Sequence, residues 1–209
     1  MALSKIQAES VNLADDFAFT GTVTGAGSNS GFRFIKKVTL SSSNGIFSAT
    51  DLFSADYNHY KLFWDIKNSV NNVANHFQWI KASDGSIDTT AAIDFRVDGT
   101  DNDATARNKS ANNVNYWVIE DDALENIHKM YMEMNVYDPF NATRANVSGH
   151  GNYTVNIDDD VVTYHYAAGT NQTTSYSGIH LIVSTSIGGS ASASNTITGS
   201  LLVYGFAES

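Results

Sequence analysis

Several short stretches of this chain alternate apolar and polar residues with a period of two, the pattern of a β-strand with one buried face. Near the C-terminus, apolar side chains recur at alternate positions in residues 179–183 and again in residues 197–203. A loop of small polar residues, 185–196, separates the two stretches. The pattern therefore predicts that the chain finishes inside a sheet.

The first half of the chain contains similar stretches. Residues 31–40 form the first clear strand, and residues 59–66 and 75–81 follow it. The predicted buried face of 59–66 consists of Tyr60, Leu62, Trp64 and Ile66, and that of 75–81 includes Phe77 and Trp79. Because an Asn-Asn turn separates these two stretches and an Asp-Gly turn (83–86) follows them, they are predicted to form a hairpin.

The second half adds further elements. Residues 98–115 are polar, with no large apolar side chain between Gly99 and Ser110, which predicts an exposed loop. Residues 116–119 open a short strand, and 120–126 could form one helical turn. Methionine occupies alternate positions from 130 to 134, in a strand that Asp138-Pro139 should end. Residues 152–157 and 161–167 flank three aspartates and predict a second hairpin.

Eight or more strands and few good helix formers predict an all-β fold, a two-sheet antiparallel sandwich of jelly-roll-like type. Its predicted domain spans residues 31–209. A Gly/Ser-rich stretch at 25–31 precedes it, so residues 1–30 are interpreted as an N-terminal arm that could be extended and form an attachment. The alternative is that this segment is the first strand of the same sandwich.

Charge and composition narrow the possible partners. The formal net charge is −10, and only Lys36-Lys37 brings two basic residues together. This distribution argues against nucleic acid as a partner because no basic stripe is present to neutralise phosphates. Cysteine is absent, so disulfides and thiolate chemistry are excluded. No secretory signal pattern and no apolar run near the roughly 20 residues of a spanning helix is present, so membrane insertion is not expected.

Candidate chemistry is sparse. The histidines (59, 76, 128, 150, 165, 180) include no pair at the i, i+4 spacing of a helical metal site, and no serine lies in a Gly-x-Ser-x-Gly elbow. His165 and His180 are predicted to be hydrogen-bonded histidines of a sheet. Residues 98–103 and 158–160 offer aspartate oxygens, either as calcium ligands or, the favoured interpretation, as solvated turns. No catalytic residue, metal ligand or cofactor is therefore assigned, and the ligand-binding residues are unknown.

Four aromatic residues are candidates for exposed sugar-stacking groups, and the alternative is that they are cross-strand pairs of the sheet. They are Trp117, Tyr164, Tyr166 and Tyr176.

Longer segments of the chain resemble β-sandwich structural proteins of tailed, especially marine, bacteriophages. The similar segments are Tyr-x-x-Tyr-Lys-Leu-x-Trp-x-Ile (57–66), Tyr-Met-Glu-Met-Asn-Val-Tyr-Asp-Pro (131–139), Ser-Gly-Ile-His-Leu-Ile-Val-Ser (177–184) and Ile-Thr-Gly-Ser-Leu-Leu-Val-Tyr-Gly-Phe (197–206). The opening residues 1–27 resemble the N-termini of tail-fibre and other virion proteins of such phages.

The resemblance implies a jelly-roll-like, non-enzymatic virion protein that is usually a homotrimer exposed on the outer surface of the particle. It implies either a tail appendage or fibre, which could contact a host-surface glycan, or a capsid decoration protein. The arm would bind other virion proteins of the capsid or tail. The alternative of another class is a soluble carbohydrate-binding module.

Overall fold

The computed structural model describes residues 31–69, 73–100, 106–119, 129–155 and 160–207. Within these ranges the secondary structure consists of twelve β-strands and no helix. The strands are β1 (Gly31–Ser42), β2 (Ile46–Ala49), β3 (His59–Asn68), β4 (Ala74–Lys81), β5 (Ile93–Thr100), β6 (Ala106–Val114), β7 (Trp117–Val118), β8 (Lys129–Tyr137), β9 (Asn146–Val155), β10 (Asp160–Thr170), β11 (Tyr176–Ser184) and β12 (Ile197–Ala207).

The strands form two antiparallel sheets that pack as a sandwich. The large sheet has the order β1-β12-β3-β8-β9-β10-β5-β6, and the small sheet has the order β2-β11-β4-β7. Alternate residues of the large sheet are buried, as Met130, Met132, Met134 and Val136 show in β8. The predicted all-β, two-sheet antiparallel sandwich is therefore confirmed.

Eight of these strands form the jelly-roll part of the fold. When β5, β6, β9 and β10 are left out, the first remaining strand pairs with the last, the second with the second last, and so on inward. The four pairs are β1 with β12, β2 with β11, β3 with β8 and β4 with β7. A long antiparallel hairpin rolled into two sheets gives this arrangement. The remaining strands are two inserted hairpins, β5–β6 and β9–β10, which extend the large sheet beyond β8.

The centre of the sandwich is aromatic. Trp79 of β4 stacks on Tyr176 at a ring-centroid distance of 4.9 Å and contacts Trp117 of β7 at 4.8 Å. Phe77 stacks on Trp117 at 5.7 Å and meets Trp64 of the large sheet edge-on at 5.6 Å. These four strands contribute side chains that are 0–2% exposed, so the aromatic contacts join the two sheets.

One sequence prediction about strand partners is wrong. Residues 59–66 and 75–81 are strands, but β3 belongs to the large sheet and β4 to the small one, so they form no hairpin. The period-two pattern shows only where each strand lies. It does not distinguish a hairpin turn from a connection that crosses from one sheet to the other.

The polar stretch 98–115 is predicted to be an exposed loop, but most of its described residues are in strands. Residues 98–100 belong to β5 and residues 106–114 to β6, and the two strands pair as a hairpin in which Asp98 lies opposite Asn108. β6 forms one edge of the large sheet and exposes Asn108, Lys109 and Ser110, so it carries almost none of the apolar side chains that would mark a strand in sequence.

Other predictions have different outcomes. The second predicted hairpin is confirmed, since β9 and β10 pair along their lengths. The predicted arm (1–30) and the predicted helical turn (120–126) lie outside the described residues, and the division at residue 30 stays a prediction. Across the described part of the chain, no helix is long and apolar enough to cross a membrane.

Candidate functional site on the large sheet

One half of the outer surface of the large sheet is covered by aromatic side chains. They project from the four neighbouring strands β1, β12, β3 and β8. We call this surface the aromatic face; its residues are Phe32, Phe34, His59, Phe63, Tyr131, Tyr137, Tyr204 and Phe206. Among the described residues, seven large hydrophobic side chains are exposed, and five of them belong to this face, with exposed fractions from 39% to 58%. A concentration of this kind on one surface marks an interaction site more often than scattered exposed residues do.

The rings of the aromatic face contact one another across the strands. Phe32 meets Phe206 at 5.4 Å and Phe34 meets Tyr204 at 5.5 Å, in both cases edge-on. Tyr204 in turn contacts Phe63 of β3 at 5.9 Å. These rings form two groups, one at Phe206 and one at Tyr204, and Lys61 joins them because its Nζ lies over the rings of both Phe32 and Phe63.

A second contact extends the patch to the next strand. His59 of β3 stacks on Tyr137 of β8, with the ring centroids 4.5 Å apart. The patch thus reaches across all four strands.

The charges on this face differ from those of the whole chain. Lys61 Nζ lies 2.7 Å from Glu133 Oε1 and between the rings of Phe32 and Phe63, 5.7 Å and 5.5 Å from their centroids. A cation above aromatic rings is attracted by their negative faces. The outward residues of these strands include three lysines, 37, 61 and 67, and two carboxylates, 65 and 133. The side chains of this face that the structure describes therefore sum to a formal charge of about +1, close to neutral on a chain of formal charge −10.

A shallow groove of about 290 Å³ lies where the aromatic face meets the polar half of the sheet. Phe63, Tyr131 and Leu202 contribute its apolar walls, while Glu133 and His150 are among its polar groups. Apolar walls with a few polar groups are typical of small-molecule sites.

A larger cleft, about 740 Å³, borders the aromatic face at Phe34 and is lined mainly by residues 50–57 and the turn at 82–85. Asp51 and Asp56 lie at this cleft, and Lys36 Nζ donates a hydrogen bond to the carbonyl oxygen of Thr50 at 2.8 Å. In the described ranges, no group of three or more His, Cys, Asp or Glu side chains is arranged to hold a metal ion.

The acidic segments proposed as turns or calcium ligands are partly described. Asp98 lies in β5, where Arg96 Nε and Nη2 donate hydrogen bonds to its two oxygens at 2.6 Å and 2.9 Å. These bonds, followed by the charges of Arg96 and His165, hold the pKa of Asp98 below its ordinary value. Residues 101–105 and 156–159 lie outside the described residues.

The histidines have different environments. His180 is buried, and its Nδ1 lies 2.8 Å from Ser48 Oγ, which confirms the predicted hydrogen-bonded histidine of a sheet. Burial lowers its pKa. His165 lies exposed in β10, next to His150 of β9.

None of the four aromatic residues considered as exposed sugar-stacking groups is exposed. Trp117, Tyr164, Tyr166 and Tyr176 are each 0–4% exposed. Tyr176 Oη donates a hydrogen bond to Asp88 Oδ2 at 2.9 Å, and burial is the main reason that its pKa rises to about 12. Tyr164 and Tyr166 follow the inward positions of β10, so the alternation of that strand alone would have placed them inside.

The aromatic face was missed, although a signal for it existed. Once Tyr60, Leu62, Trp64 and Ile66 are placed inside, Phe63 must point outward, and the same holds for Tyr131 and Tyr137 beside the methionines of β8. The sequence could not indicate that these strands are neighbours, since β1, β12, β3 and β8 lie far apart along the chain.

Comparisons with protein-family models, curated proteins and solved structures give no match to this chain. Its function must therefore be inferred from the surface just described and from the sequence.

Proposed function

We propose that the protein is a non-enzymatic structural subunit of a bacteriophage particle, a homotrimer exposed on the outer surface of the virion as part of a tail appendage or fibre. The phage assignment is supported by the sequence resemblance. The single structural observation that supports self-assembly is the aromatic face, which the described residues leave uncovered. Copies of the same chain are its proposed occupants.

The size of the face suits a subunit contact. Four strands spaced about 4.8 Å apart, over about nine residues of roughly 3.3 Å each, give a footprint of roughly 600 Å². Stable interfaces bury on the order of 800 Å² per partner, so the face has the right order of area. Phe and Tyr are also enriched at the cores of such contacts, and Tyr is among the residues that provide most of their binding energy.

The charge distribution favours copies of this chain as the partners. Two chains of charge −10 repel each other, and contact is least unfavourable where the local charge is close to zero. The aromatic face, with Lys61 next to Glu133, meets this condition. Closed symmetry would then bury the rings of every subunit.

Within the same class, the alternative is a capsid decoration protein. Both roles use residues 1–30 to bind other virion proteins, because this segment has apolar residues (Leu3, Ile6, Val11, Leu13, Phe17 and Phe19) that a partner would cover. They differ at the cell surface, where a fibre would bind a host glycan and a decoration protein would not.

A soluble carbohydrate-binding module is the second candidate, and the groove next to the aromatic face favours it. Tyr131 is 48% exposed and could stack on a sugar ring, while Glu133 and His150 could bind its hydroxyl groups. This function needs no self-assembly.

Light scattering on the purified full chain tests the proposal. We expect a trimer that becomes a monomer in the double variant Phe32→Ser/Phe34→Ser, because these side chains, 47% and 58% exposed, are two of the three most exposed rings of the aromatic face. The matched control is Ile46→Ser, which removes a 37% exposed side chain from the small sheet and should remain a trimer. Circular dichroism should show the same folded state in all three proteins.

The other outcomes separate the candidates. A chain starting at Ser28 should still form a trimer but should lose association with virion proteins. A wild-type monomer that binds saccharides, and that loses this binding in Tyr131→Ala, would overturn the proposal in favour of a carbohydrate-binding module.

A further inference from the structure

The polar half of the large sheet contains a row of charged and imidazole side chains that begins at Glu133, next to the aromatic face. Glu133 of β8 lies opposite His150 of β9, His150 lies opposite His165 of β10, and His165 lies opposite Asp98 of β5. The four residues thus occupy directly paired positions on four adjacent strands. Each histidine is on an internal strand that is hydrogen-bonded on both sides, so its backbone position is fixed.

The two imidazole rings are close and accessible. Their centroids lie 6.0 Å apart and their planes are tilted by 42°. Both side chains are exposed, and their neighbours on the same side of β9 and β10 are small, namely Ser148, Asn152, Thr163 and Ala167. No bulky side chain on these two strands therefore covers the space above the rings.

We propose that His150 and His165 bind a divalent late transition metal ion such as zinc. Neutral imidazole is a preferred ligand for zinc, copper and nickel. An ion held about 2.1 Å from one nitrogen of each ring places the ring centroids roughly 5–6 Å apart, so the observed separation requires little more than side-chain rotation. The remaining coordination positions are open to water.

The charges around the two histidines do not oppose a cation. Glu133 and Asp98 flank the histidines at the two ends of the row, and each carboxylate is held by a basic group, Lys61 and Arg96 respectively. The row is therefore balanced in charge when both histidines are neutral, which is the form that binds metal. A bound ion would join β9 to β10.

Isothermal titration of the full, chelator-treated chain with zinc at about pH 7.5 tests the proposal. We expect one zinc ion per chain and a rise in the thermal unfolding midpoint when zinc is added. His150→Gln and His165→Gln should each weaken binding by roughly tenfold or more, because each removes one of two protein ligands. At about pH 5.5, binding should also weaken, since protons compete for both imidazoles.

Thr163→Ala is the matched control, because it changes an exposed neighbour of His165 on the same side of β10 without removing an imidazole, and it should leave zinc binding unchanged. Absence of binding at zinc concentrations up to roughly 1 mM would overturn the proposal. Binding that persists in both His150→Gln and His165→Gln would overturn it too, by placing the ion elsewhere. Neither result depends on whether the chain is a trimer.

Discussion

Two glycines of β9 each lie beneath a tyrosine ring of β10. Tyr166 is paired with Gly149 and Tyr164 with Gly151, and each ring crosses its glycine toward β8. The hydroxyl group of Tyr166 donates a hydrogen bond to the carbonyl oxygen of Glu133 at 2.9 Å, so this side chain links three strands. A side chain at either glycine would occupy the space of the ring.

Gly149→Ala should therefore destabilise the protein by about 1–3 kcal/mol, the usual cost of adding a methyl group to a packed interior. The added Cβ would meet the Tyr166 ring and the backbone of Glu133, neither of which can easily move. Chemical unfolding would measure the loss. Ser148→Ala, on the outward side of the same strand, should change the free energy of unfolding by less than about 0.5 kcal/mol, and equal effects of the two variants would contradict the argument.

His76 is a buried, neutral histidine that links β4 to the loop before β12. The backbone N–H of Gly188 donates a hydrogen bond to its Nε2 at 2.9 Å, so this nitrogen carries no proton. His76 is only 2% exposed, and this burial lowers the pKa of its imidazole from 6.5 to about 4. Protonation would both charge a buried group and break this hydrogen bond.

The direction of the pKa shift predicts acid sensitivity. The unfolded chain binds a proton at His76 more readily than the folded chain does, because the pKa of His76 is lower in the folded state. The contribution of neutral His76 to the free energy of unfolding is therefore complete above pH 6.5 and is lost as the pH falls toward 4. The loss should be roughly 3 kcal/mol. His76→Gln, which keeps an acceptor for Gly188, should remove about this much of the pH dependence measured by chemical unfolding.

The exposed histidine His150 provides the control for this titration. His150→Gln should lose stability between pH 6.5 and 4 as the wild type does. If His76→Gln also followed the wild type, the acid sensitivity would have to come from other groups, including His180.

At the level of the strands, the alternation of apolar and polar residues predicts well where each strand lies in the sequence and which of its sides is buried. It predicts poorly which strands pair with each other. The methionines of β8 and the aromatic residues of β3 show which side faces inward because burial acts on each side chain separately. Pairing depends on residues far away in sequence, which is why β3 and β4 were joined incorrectly in a hairpin. β6 was missed because a polar edge strand shows no alternation that burial would impose.

Because strand pairing cannot be read from the alternation, neither candidate site could be predicted from the sequence. The aromatic face requires β1, β12, β3 and β8 to be neighbours, and the His150–His165 pair requires the register of β9 on β10. The alternation in the sequence can show which side of each strand a residue occupies, and His165 is among the histidines that it places on a strand. Only the pairing of strands brings the members of either site together.

At the scale of the whole molecule, the proposed assembly combines an apolar contact with strong mutual repulsion. A trimer of chains with charge −10 each would carry a formal charge of −30. This charge opposes association from a distance, whereas the aromatic face attracts only on contact. The two contributions should respond to salt in different ways.

Raising the ionic strength from about 0.02 M to about 0.3 M shortens the range of electrostatic interactions from roughly 20 Å to roughly 6 Å. Repulsion between subunits then falls while burial of the aromatic rings still favours association, so we expect the trimer to dissociate at a higher protein concentration in low salt than in high salt. Sedimentation at a series of protein concentrations would measure this. The Phe32→Ser/Phe34→Ser variant should stay monomeric at both ionic strengths, since screening removes repulsion but provides no contact. A trimer that weakened as salt increased would instead mean that ion pairs, with Lys61 the first to test, hold the subunits together.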